Sequence, residues 1–83
     1  MSLIDEIVAH ESRLNQLETE LVGLELRAVK LRDDLRAQIS YMRPVRELSP
    51  EAIGDIAMRL ATELTVIQEK WAEVANIRKA LRK

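Results

Sequence analysis

A chain of 83 residues with a formal charge of −1 and no cysteine makes one small domain, and excludes disulfides, thiolate metal sites and a thiol nucleophile. The near-neutral balance argues against a surface that grips nucleic acid or anionic lipid over its whole extent. Charged residues make up 33% of the chain and aromatic residues 2%, a composition of long helices.

In chain order, the first predicted element carries a ladder of Leu3, Ile7, His10, Leu14, Leu17, Leu21, Leu24, Ala28, Leu31, Leu35, Gln38 and Met42, at alternating steps of four and three. Apolar residues at this 3.5-residue period form a seam that needs a partner helix. The spacing predicts a helix over 3–42, on the order of 60 Å long at 1.5 Å per residue. Ser2 suits its N-cap, and Asp5 and Glu6 complement the dipole of its first turn. Gly23 falls at an outer position, where it weakens the helix by roughly 1 kcal/mol without ending it.

A turn is predicted over 43–49. Pro44 drives Arg43 out of the α region and removes a backbone donor, so the first helix should stop before it. Ser49-Pro50-Glu51 then restarts the chain, with serine as N-cap, proline at the first helical position and an acid in the first turn. A second helix is predicted over 50–82, with a second ladder of Ile53, Ala57, Leu60, Leu64, Ile67, Trp71, Val74, Arg78 and Leu81. Trp71 falls in this seam opposite Leu24 and Ala28 and reads as the largest core anchor. Basic Arg78, Lys79, Arg82 and Lys83 suit the C-terminal end of a helix.

So short a connection implies an antiparallel hairpin. Charge agrees: Asp5, Glu6, Glu11, Glu18, Glu20 and Glu25 face a lone Arg13 in the first 25 residues, and the chain ends in bases. Folding about Pro44 is expected to set Leu81 beside Leu14 and Arg78, Lys79 and Arg82 beside Glu11, Glu18 and Glu20. The expected fold is all-α, an antiparallel two-helix coiled-coil hairpin.

The apolar residues exceed what one such hairpin covers. Leu3, Ile4, Ile7 and Val8 overhang the second helix, and Val22, Leu26 and Val29 form a stripe away from the seam. Ala61 and Ala75, with Gly54, Ala57 and Ala72, give the second helix a small-residue surface flanked by Ile56 and Ile77. A homo-oligomer is expected, a dimer closing into a four-helix bundle, with docking of another protein's helix as the other use of the surface.

Chemistry is sparse. His10, with Glu6 one turn before it, supplies at most two ligands, and His10-Glu11 lacks the second histidine of a zinc-protease motif. Asp33 and Asp34 are neighbours on a helix and diverge. Gln38 and Arg78 read as polar seam residues that penalise slipped registers. No phosphate loop or catalytic serine motif is present, so no enzyme, cofactor, metal or small-molecule substrate is expected. No apolar run nears the roughly 18 residues that span a bilayer, and Asp5 and Glu6 do not suit a signal peptide, so no membrane association and a cytoplasmic location are expected.

Arg27, Lys30, Arg32, Arg36, Arg43, Arg46 and Arg59 cluster toward the turn, against Asp33, Asp34, Glu47, Glu51 and Asp55. Arg36, Arg43, Arg46 and Arg59 are the candidate phosphate contacts. They carry the alternative reading, a small nucleic-acid-binding regulatory or accessory protein of phage or plasmid type, whose contacts would be salt-sensitive. The leading reading is a non-enzymatic helical interaction module. Its architecture is similar to that of small helical-hairpin regulators that dimerise into four-helix bundles, such as the plasmid copy-number RNA-binding protein Rop. That likeness is one of topology and carries over no motif and no functional residue.

Overall fold

The computed structural model describes residues 3–82; the Ser2 cap and the Lys83 charge lie outside them. Two helices, α1 (Leu3–Gln38) and α2 (Pro50–Leu81), pack side by side as a hairpin with extents of 64 × 17 × 14 Å. Among the described residues there is no strand.

The first helix ends at Gln38, short of the Met42 expected from the ladder. Pro44 explains this from four residues away. A helix through that region would drive its ring into the carbonyl of Ser40 and leave that carbonyl without a donor. The chain instead leaves the helix first: the Arg43 amide donates to the Ser40 carbonyl (3.0 Å), and the Met42 amide donates to Ser40 Oγ (3.2 Å). A 3-10 turn at Val45–Glu47 follows, with the Glu47 amide donating to the Pro44 carbonyl (2.9 Å) and the Leu48 amide to that of Val45 (3.1 Å). The restart is as the sequence predicts. Ser49 Oγ accepts from the Ala52 amide at 3.2 Å, and Pro50 opens the helix.

The core is Leu17, Leu21, Leu24 and Ala28 from α1 against Ile67, Val74 and Ile77 from α2, with Leu14, Leu60, Val66 and Leu81 packed around it. Every α1 member belongs to the predicted ladder. Of the α2 members, Ile67 and Val74 belong to it and Ile77 does not. Ile53, Leu60, Ile67, Val74 and Leu81 keep their places, but the alternate rung falls one residue earlier, on Ile56, Glu63, Lys70 and Ile77. Ile77, expected on an outer surface, is therefore buried, and Ile56 is half-buried. Leu64 and Trp71, expected in the seam, are each 41% exposed. Trp71 is not the core anchor.

Rotating α2 by this amount places two charged side chains at the seam. Lys70 finds a partner, as described below. Glu63 does not, and its Oε2 is buried with no hydrogen bond. Leaving a buried acceptor unsatisfied costs about 1–3 kcal/mol. Glu63→Leu is accordingly expected to raise the unfolding free energy by about that amount, read as a higher urea midpoint with unchanged helical circular dichroism.

At the open end Leu3, Glu6, Ile7, His10, Ala80 and Leu81 line a cleft of about 400 Å³. Leu14 and Leu81 both pack around the core, as expected, and Leu3 and Ile4 stay largely exposed. At the other end Tyr41, Met42 and Val45 are exposed at 94%, 75% and 84%.

A candidate helix-packing flank

The hairpin has two unlike flanks. On one, ion pairs bridge the helices. Arg13 donates from Nε and a terminal nitrogen to the two carboxylate oxygens of Glu73, both at 3.0 Å, and Lys70 Nζ donates to Glu20 Oε2 at 2.7 Å. A groove on this side is lined by Thr19, Glu20, Gly23, Leu24, Arg27 and Lys70. The lone base of the first 25 residues is thereby accounted for: Arg13 is the bidentate clamp on α2, a geometry that fixes position as well as charge. Glu20 pairs with Lys70 and not with the terminal bases expected; of those, Arg78 reaches Glu18, at 3.1 Å.

These pairs hold Glu20 and Glu73 below the usual glutamate range. The hydrogen bond from Lys70 is the main cause for Glu20 and that from Arg13 for Glu73, opposed in both by desolvation. The Arg13 pKa is raised, chiefly by its hydrogen bond to Glu73. Carboxylates with a depressed pKa in the folded state contribute stability above their unfolded pKa, and the contribution is lost as pH falls through the folded one. The melting temperature is therefore expected to fall as the pH drops through and below the ordinary glutamate range. Glu73→Gln should make that fall shallower, measured by thermal melts across the range.

The opposite flank is largely apolar, with the Arg78–Glu18 pair bridging it toward the open end. A groove of about 230 Å³ lies between the helices there, lined by Glu25, Ala28, Val29, Arg32, Leu60, Leu64 and Ile67. Positions seven apart share a face in packed helices. Val22 therefore joins Val29 on this side and Trp71 joins Leu64, while Ala61 and Ala75 stand one turn from Leu64 and Trp71. Val22, Leu26 and Val29 are exposed, as the sequence predicts for an outer stripe. Ala61 and Ala75 are exposed as well. What the ladder reading missed is that Leu64 and Trp71 belong to this surface. The signal was present, because Ala57, Leu64 and Trp71 repeat every seven residues immediately beside a second rung of Ile56, Glu63, Lys70 and Ile77.

The other candidates are dispersed. Arg36, Arg43 and Arg46 are exposed at the turn end with no ion pair among the described residues, whereas Arg59 is held by Asp55 at 3.3 Å. His10 sits in the cleft at the open end beside Glu6. Among the described residues no group of three or more histidine, cysteine, aspartate or glutamate side chains could hold a metal ion, and no helix is long and apolar enough to cross a membrane. Comparison with protein-family models, with curated proteins and with solved structures gives no match.

Proposed function

We propose that the protein is a non-enzymatic helical interaction module whose apolar flank receives a second copy of the same chain, giving a four-helix bundle. The observation that carries this reading is the half-exposed Trp71 and Leu64 standing level with Val22 and Val29 on one flank. A chain of this size draws no more than about 3–5 kcal/mol from a single core. Here that core is confined to the stretch where Leu17–Ala28 meets Ile67–Ile77. Toward the turn, Leu31, Leu35, Ile53 and Leu60 are only half-buried. Packing two hairpins through the Val22/Trp71 flank would cover the large apolar side chains and leave the Arg13–Glu73 and Lys70–Glu20 pairs in water.

Sedimentation equilibrium at micromolar concentration tests this directly. A mass of about twice 9.5 kDa is expected. A monomer with full helicity and a cooperative melt would end the proposal. Stable association only with another protein would assign the flank to a foreign helix. Binding of duplex RNA or DNA at low salt would instead point to Arg36, Arg43 and Arg46.

A further inference from the structure

We infer that the two hairpins lie in opposed directions, each α1 packed along the other α1, so that the open end of one copy covers the turn of its partner. This rests on the dimer reading above and specifies its geometry. Two arrangements join the same flank by a twofold axis. In one the turns meet at the same end, and each α1 lies over the partner's α2. In the other the turns are at opposite ends, and like helices pair.

The apolar ends of the hairpin separate them. Ile4 is three heptads before Glu25, and Val8 is two heptads before Val22, so both lie on the flank of the Val29 groove. They are 71% and 57% exposed. With the turns together, Ile4 and Val8 would face the end of the partner's α2, where the same flank carries Arg78 and Arg82. Arg78 is already held there by Glu18 at 3.1 Å, and beyond Trp71 the second helix has, among the described residues, no large exposed apolar side chain to meet them. With the turns opposed, they meet the turn end of the partner, where Ile39, five heptads on from Ile4, lies beyond Arg36 and where Met42 and Val45 are exposed as well. Each apolar end supplies the cover that the other lacks.

Charge and size agree with the opposed form. Along this flank α1 runs from Glu11, Glu18 and Glu25 to Arg32 and Arg36. Reversed onto itself, the acidic half lies against the basic half, a complementarity that sets orientation more than affinity. A face 64 Å long and 17 Å wide has room for the roughly 800 Å² per partner of a standard interface.

The chain has no cysteine, so one substitution places one spin label. Glu47→Cys carries it on the exposed 3-10 turn. In the dimer, double electron–electron resonance should give a label separation approaching the 64 Å length of the molecule. An equal mixture of Glu47→Cys and Ser12→Cys copies, each singly labelled, should add a short distance. A short Glu47–Glu47 distance, of two or three interaxial spacings of about 8–10 Å, overturns the opposed arrangement and leaves the dimer intact. A monomeric mass for the labelled protein overturns the dimer itself.

Discussion

Leu21→Ala is expected to lower the unfolding free energy by about 2–5 kcal/mol, the range for leucines truncated in cores that cannot collapse around the gap. Leu21 is 1% exposed and Leu17 is 0% exposed, and either serves. The position within the hairpin matters more than the residue type. Leu31 is half-buried and Leu64 is partly exposed, so the same truncation there should cost less in the isolated hairpin. Urea unfolding followed by circular dichroism, at one fixed protein concentration, checks this ordering. If Leu64→Ala costs as much as Leu21→Ala at high concentration but much less at low concentration, the difference belongs to the assembly.

The second large effect concerns the flank. Val22→Gln, Leu26→Gln and Val29→Gln together are expected to halve the mass in solution and leave far-ultraviolet helicity nearly unchanged, because glutamine is a good helix former and none of the three supports the core. The single tryptophan reports the same event: Trp71 would gain water, and its emission should move to longer wavelength as the copies separate. Loss of helicity with no dissociated species would show that inner and outer stripes had been divided wrongly.

How far the sequence was legible differs between the helices. On α1 the core rungs Leu17, Leu21, Leu24 and Ala28 have Gln16, Glu18, Glu20, Gly23, Glu25 and Arg27 beside them and, as apolar neighbours, only Val22 and Val29 of the outer stripe, so one seam stands out. On α2 two adjacent rows compete. Ile56 and Ile77 favour one row; Leu64 and Trp71 favour the other. Periodicity ranks the rows by hydrophobicity and chooses the second. The folded chain takes the first because the helix turns as a unit, and that rotation also brings Glu73 onto Arg13 and Lys70 onto Glu20. A single-helix pattern contains neither partner. The cap at Ser49 was legible because it depends on its own neighbours. The early end of α1 was less so, since Pro44 acts through the carbonyl of Ser40. The flank was half legible: Val22, Leu26 and Val29 were identified, but the large side chains beside them were assigned to the interior.

The connection between the helices has a consequence for how copies can exchange. Subunits of helical hairpins trade elements most readily when the hinge straightens and both helices fuse into one continuous rod. Here the hinge holds Pro44 at the entrance to the 3-10 turn and Pro50 at the first position of α2. Each ring rejects the helical conformation in the residue before it and withholds an amide that a fused rod would need. A fused, swapped form is thereby disfavoured in the hinge itself, so the proposed dimer would form from intact, already folded hairpins.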